Sequence, residues 1–231
     1  MTVIRFNPEE VLDCDSFEYI ILMEAALEIK GVEGAIVEIG TRRGGSTKLI
    51  IDALEHNGDT DRAFFCIDPY GNIEMECSNI NITRHMPHVP VEGDPESTEI
   101  TQKLRIDYTN KMRNRIIPSL YYYAYDKGFN FQFFCMEDTE FIKRFGDGVP
   151  VYDEYKSLVN TYALVFFDGP RDQPALDLET KFFIERSTIG TMFVYDDIWM
   201  FNLSRYEEML FEAGFEVFFK SEIKASYKRV R

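Results

Sequence analysis

Ala35-Ile36-Val37-Glu38-Ile39-Gly40-Thr41-Arg42-Arg43-Gly44-Gly45-Ser46-Thr47 is the stretch that decides how this chain is read. An apolar run ends in Glu38-Ile39-Gly40 and a glycine turn follows. From Ser46-Thr47 onward, Lys48-Leu49-Ile50-Ile51-Asp52-Ala53-Leu54 takes up a helical pattern. Strand, tight turn and helix in that order form the generic nucleotide-cradling unit of a parallel α/β sheet. Gly40 lets the backbone turn and lets a ligand come close, while Gly44 and Gly45 open the helix so that its first N–H groups face that ligand. The spacing Glu-x-Gly-x-x-x-Gly-Gly is not the Gly-x-Gly-x-x-Gly of dinucleotide enzymes. A carboxylate beside the turn suits a ligand carrying an amino group or a sugar hydroxyl better than a bare pyrophosphate.

Working outward, residues 1–15 read as an irregular lead-in. Ser16–Lys30 has apolar residues at helical spacing (Phe17, Ile20, Ile21, Ala25, Leu27), with Ser16 as a cap and Gly31 or Gly34 as a stop. The strand Ala35–Ile39 leads to a helix over Ser46–Glu55, a turn at Asn57-Gly58-Asp59 and a second strand, Ala63–Ile67. Further strands are expected at Asn130–Met136, Tyr162–Phe167 and Thr191–Tyr195. Helices are expected from Glu137-Asp138-Thr139 to Phe145, over Pro174–Glu185 and over Leu203–Ala213, with a loop at Gly146–Asp153. A closing hairpin is expected at Phe215–Ser221 and Lys224–Val230. Alternation of strands and helices implies an α/β fold in one domain, 1–231.

Residues 72–128 exceed what a crossover between neighbouring strands requires. Asn72–Ser97, with His85, Pro87, His88 and Pro90, reads as a long loop, and Thr98–Asp126 as a helix with a break risk at Pro118. The insert is taken as a lid over the substrate. His85 and His88 suit solvated polar filler better than ligands or bases. Tyr121-Tyr122-Tyr123 and Tyr125 suit substrate stacking and ordinary packing equally.

The 231 residues are 45% hydrophobic, enough for one sizeable core. No apolar run of about 18 residues is present, so no membrane association is expected. The four cysteines (Cys14, Cys66, Cys77, Cys135) make no Cys-x-x-Cys pair, and the N-terminus lacks the build of a signal peptide; a reducing, cytoplasmic setting follows. A net charge of −15 argues against a nucleic-acid partner and for a small-molecule one. The basic patches Lys103–Arg115 and Lys224–Arg231 read as solvated faces. Exposed aromatics are compatible with a homodimer.

Ligands of open α/β sheets bind at the carboxyl ends of the strands. Those ends read Glu38, Asp68, Glu137/Asp138, Asp168 and Asp196/Asp197. Such a row repels itself unless cations or ligand donors occupy it. Asp68, closing the second strand, stands where a ribose hydroxyl pair is gripped, or else caps the turn before Pro69. Asp168, Asp196 and Asp197 should converge from neighbouring strands. An oxygen-only set suits Mg²⁺ first, then Ca²⁺ or Mn²⁺. Turn and capping chemistry without metal is the alternative.

Val37-Glu38-Ile39-Gly40-Thr41-Arg42-Arg43-Gly44-Gly45-Ser46-Thr47 resembles motif I of class I S-adenosylmethionine (SAM) methyltransferases, in the form found in macrocin-type O-methyltransferases of sugars and natural products. The resemblance implies a Rossmann-like, doubly wound seven-stranded sheet, mostly parallel with an antiparallel last strand, and the insert between its second and third strands. It implies SAM bound by Glu38, Gly40, Thr41, Arg43, Gly44, Ser46, Asp68, Glu137 and Asp138, the last two accepting from the adenine amino group. It further implies methyl transfer to a hydroxyl of a small molecule, assisted by a metal on Asp168, Asp196 and Asp197 that orients the acceptor and lowers its pKa. That branch commonly carries an acid or histidine shortly after its Asp-Gly. Here Pro170 and Arg171 follow Asp168-Gly169, and Asp172 is the nearest replacement, so Asp168 and Asp172 are the catalytic candidates. A metal-independent methyltransferase and a non-catalytic SAM-binding or scaffold protein stay open. A nucleotide-sugar or NAD(H) enzyme is disfavoured, because Glu38 would repel a pyrophosphate.

Overall fold

The run Ala35–Ile39 becomes β1, and all five of its residues are buried. A strand buried at every position has to be covered on both faces and flanked on both sides. It is: β2 (Ala63–Ile67) lies parallel on one side, with Val37 opposite Phe65, and β8 (Tyr162–Phe167) parallel on the other, with Val37 opposite Val165. The computed structural model describes residues 18–78, 100–108, 110–169 and 173–231.

The remaining strands are β3 (Gly71–Ser78), β4 (Ile100–Tyr108), β5 (Asn130–Phe134), β6 (Val149–Tyr152), β7 (Lys156–Val159), β9 (Ser187–Tyr195), β10 (Phe215–Lys220) and β11 (Ala225–Arg229). Seven of the strands form one sheet in the order β10-β11-β9-β8-β1-β2-β5, and β11 alone runs against the rest. This is the mostly parallel seven-stranded sheet expected. The chain winds outward from β1 through β2 to β5, then restarts at β8 on the other side of β1. The switch point, where ligands bind in such sheets, therefore lies between β1 and β8.

Strand residues alternate between two cores. Ile36, Phe64, Cys66, Leu164, Phe166 and Val194 pack under α1 (Tyr19–Glu28), α2 (Gly45–Asn57) and α3 (Asn110–Asp126). Val37, Phe65, Val165, Phe167, Phe193 and Tyr195 pack under α4 (Asp138–Arg144), α5 (Gln173–Ile184) and α6 (Leu203–Glu212). Among the described residues, no helix is long and apolar enough to cross a membrane.

Two expectations are corrected. The start of the insert is not a loop, and its helix does not begin at Thr98: β3 and β4 pair as an antiparallel hairpin, Gly71 opposite Tyr108. Apolar residues at 73, 75 and 77 and again at 104, 106 and 108 alternate with the period of a strand. Only Asn110–Asp126 is helical, and it runs through Pro118. Gly146–Asp153 likewise holds β6, which pairs with β7 as a second short hairpin. His85, His88 and the expected cap Ser16 lie outside the described residues. Of the tyrosines on α3, Tyr123 is buried, whereas Tyr121, Tyr122 and Tyr125 are exposed.

Candidate functional site

The turn after β1 is built from backbone that only glycine tolerates at two points. Gly40 has φ 90°, and a Cβ there would stand 2.6 Å from the carbonyl carbon of Asp168 and 2.9 Å from the nitrogen of Gly169. The close approach that demands glycine thus comes from the exit of β8, whose Asp168 N–H donates to the Ile39 carbonyl at 2.9 Å. Gly44, at φ 77°, is the N-cap of α2, and its N–H closes the turn on the Thr41 carbonyl at 2.8 Å. The first turn of α2 has no acidic residue and no side-chain cap, so its positive end is directed at the turn.

Glu38 sits beneath this turn, fully buried. One carboxylate oxygen accepts from the Ser46 hydroxyl, the other from the Thr47 hydroxyl and from the Cys66 thiol at 3.2 Å. Burial pushes the carboxyl above its ordinary 4.5; the three donors pull it down, and the nearby charge of Asp68 adds to the rise. Glu38 and Ser46 are therefore brought together, with Glu38 tying the helix start to β1. The Thr41 hydroxyl is buried beside the Cys66 thiol and completes no hydrogen bond of normal geometry. Arg43 is half-buried on the same turn.

Asp68 follows β2 and is also buried. It accepts from the backbone N–H of Arg42 at 2.8 Å and, on the other oxygen, from that of Tyr70 at 2.8 Å. Both donors are non-glycine residues with positive φ, 44° and 50°. The Tyr70 hydroxyl donates back to the Arg42 carbonyl at 2.7 Å. Asp68 is thus a clamp joining the glycine turn to the end of β2, a role that includes the turn-cap alternative. Tyr70 was not singled out in the sequence. Its signal was its place two residues after a strand-end acid, where a carboxylate recaptures the backbone.

Next to β2, the end of β5 brings Glu137 and Asp138 to the same edge. Glu137 is exposed and caps α4 through its backbone carbonyl; Asp138 is half-buried and accepts from the Thr139 N–H at 2.5 Å.

At the β8–β9 end, Asp168 is half-buried and Asp196 buried. The expected metal set is not assembled: among the described residues, no three His, Cys, Asp or Glu side chains are grouped to hold an ion. Asp196 accepts on one oxygen from the Asp197 N–H at 2.8 Å and on the other from the ammonium of Lys224. Asp197, at φ 49°, accepts from the Trp199 indole N–H at 3.1 Å. Turn chemistry and an internal cation thus hold these two acids, and the donor set does not fit a divalent metal. Lys224 is correspondingly no part of a solvated basic tail; it is fully buried. Its signal was the register of the last hairpin, because Ala225 pairs with Tyr195 across antiparallel strands and so sets Lys224 opposite Asp196. Asp172 lies outside the described residues.

No family model and no curated protein sequence matches this chain. Solved structures do. The calicheamicin methyltransferase CalS11 matches with a TM-score of 0.60 at 10% identity, over 91% of this chain and 77% of that one. The O-methyltransferase TomG from Streptomyces achromogenes, solved in complex with SAM, matches with a TM-score of 0.54 at 11% identity, over 95% and 82%. The Bacillus cereus O-methyltransferase in complex with SAH matches with a TM-score of 0.54 at 11% identity, over 98% and 93%. These neighbours show the fold: the chain shares the fold of these methyltransferases.

Proposed function

We propose that this protein binds SAM at the carboxyl edge of β1 and β2 and transfers its methyl group to an oxygen of a small molecule. The observation that carries the reading is the clamp around the glycine turn. Two left-handed, non-glycine residues, Arg42 and Tyr70, are held by one buried carboxylate, Asp68. Backbone held in that region is costly and persists where a ligand site requires it.

The turn Gly40–Ser46 would lie against the amino-acid part of the cofactor, with the Thr41 hydroxyl and the α2 N–H groups as donors. Asp68 would accept from the ribose, and Glu137 or Asp138 from the adenine amino group. Bound SAM supplies an electrophilic methyl on a sulfonium: the acceptor oxygen forms the new C–O bond as the C–S bond breaks, the electron pair stays on sulfur, and the acceptor proton leaves to a base or to water. The protein's share is to position the acceptor in line beside Asp168 and to exclude water. The hairpin β3–β4 starts three residues after Asp68, which suits a cover over that position. The charge of −15 favours a small acceptor over nucleic acid.

Calorimetric titration of SAM into the wild type and Asp68→Ala tests this. Binding at about micromolar affinity, weakened at least about tenfold in Asp68→Ala, is expected. Absence of any SAM binding by the wild type overturns the reading. Conversion of SAM to S-adenosylhomocysteine with an acceptor panel then separates a transferase from a protein that only binds.

A further inference from the structure

We propose that the Lys224 ammonium is the resident cation of the acceptor end of this site, standing where the aspartates of the edge would otherwise gather a divalent metal, so that the protein works without one. The inference deepens the methyltransferase reading and rests on it only for the part that concerns activity; the exclusion of metal rests on Lys224 and Asp196 themselves.

Position comes first. Lys224 precedes β11 and Asp196 follows β9, and the antiparallel register of those strands puts them face to face. Both side chains are withdrawn from solvent, 0% and 3% exposed, and are ion-paired. The second oxygen of Asp196 has the Asp197 N–H, so both of its oxygens hold donors.

The lysine is also fixed from its own side. Its backbone N–H donates to the Ser221 hydroxyl at 2.9 Å, and its carbonyl accepts from the Ser221 N–H at 2.8 Å. Ile223, just before it, accepts from the Ile198 N–H at 3.0 Å, which ties this turn to the segment after Asp197. The ammonium lies 5.5 Å from the ring centre of Tyr19 and 6.0 Å from that of Phe166, aromatic faces that favour a cation. A second, doubly charged cation at Asp196 would have to displace this ammonium or sit against it, in surroundings that screen like charges poorly. One positive charge already does at Asp196 what a metal would do there, namely hold the carboxylate in place and offset the acidic edge.

The test is Mn²⁺ binding followed by electron paramagnetic resonance, with SAM affinity measured by calorimetry on the same samples. Variants are Lys224→Gln, which keeps a donor for Asp196 and removes the charge, and Asp196→Asn. Wild type is expected to show no Mn²⁺ site that Asp196→Asn removes. Lys224→Gln is expected to gain one, with affinity at least about tenfold higher than wild type, and the double variant Lys224→Gln/Asp196→Asn to lose it again. An Asp196-dependent Mn²⁺ site in the wild type overturns the proposal, and so does a folded Lys224→Gln with no gain. Should Lys224→Gln fail to fold, Lys224→Met/Asp196→Asn, which removes both charges, takes its place: Mn²⁺ binding equal to wild type supports the proposal, and a loss relative to wild type overturns it. SAM binding retained throughout keeps the two readings separate, since its absence in the wild type would overturn the cofactor reading alone.

Discussion

The two halves of the strand edge deal with buried carboxylates in different ways. At β1 and β2, Glu38 and Asp68 accept from neutral donors, among them two hydroxyls, a thiol and two backbone N–H groups. At β9, Asp196 is satisfied by a backbone N–H and a full positive charge. Burial raises the Glu38 carboxyl even though its three neutral donors pull it down. At Asp196 a buried ammonium offsets the charge. The β1–β2 half is therefore shaped by hydrogen-bond geometry, and the β9 half by charge balance. A row of acids along one edge does not by itself call for metal.

The largest effect is expected where the halves touch. Gly40→Ala puts a methyl group into the backbone of Asp168 and Gly169, where no flexible side chain can give way, and does so at φ 90°. A loss of about 4 kcal/mol or more in stability is expected, read by thermal or denaturant unfolding. A near-native Gly40→Ala would mean that the two strand exits are free to separate, and the comparison would lose its common frame.

Next comes the charge-balanced half. Lys224→Ala leaves Asp196 buried without its cation, and about 3 kcal/mol of destabilisation is expected. Replacing both partners, Lys224→Met with Asp196→Leu, is expected to recover most of that loss, because two well-packed apolar groups leave no charge uncompensated. If the pair replacement is as damaging as the single one, Lys224 acts through packing against Tyr19 and Phe166 rather than through charge.

The hydrogen-bonded half should answer to pH instead. Glu38 takes up its proton more readily in the folded chain than in the unfolded one. Its contribution is therefore fully present below its ordinary value of 4.5 and is lost as pH rises through the higher folded value. Urea midpoints measured upward from pH 4 should fall in the wild type by an amount that Glu38→Gln removes. A glutamine amide can keep partners here, since the Ser46 and Thr47 hydroxyls rotate and accept. Equal pH profiles for the two proteins would place the ionised carboxylate at no cost and erase the contrast with Asp196.

The central strands were legible to the residue: Ala35–Ile39, Ala63–Ile67 and Tyr162–Phe167 stand as read, because each is a short apolar run bounded by turn residues. The hairpins β3–β4 and β6–β7 were not, whereas the closing pair, β10 and β11, was. Apolar and polar residues alternate along β3 and β4, but the many charges between them mimic a solvated helix. The acids at the strand ends were readable as a row, and the glycine turn as the link from β1 to α2. Their partners were not, because Lys224 is separated from Asp196 by 28 positions and only strand register brings them together. A lysine in a basic tail gives no local sign of being buried.

The smallest effect separates clamp from cradle. Tyr70→Phe deletes one hydrogen bond, from the hydroxyl to the Arg42 carbonyl at 2.7 Å, and keeps the ring that lies 5.9 Å from Phe133. About 1 kcal/mol of stability is expected to go, since a neutral buried bond contributes little more. SAM affinity, measured by calorimetry, should fall several-fold as well, because Arg42 would then lose one of the ties that hold its left-handed conformation, and the turn would sample other shapes before closing on a ligand. Stability lost without affinity would make Tyr70 a fold residue and leave the ligand-binding part of the clamp to Asp68. Affinity lost without stability would make the tie a device for ligand binding, which is what two strained residues sharing one carboxylate are best explained by.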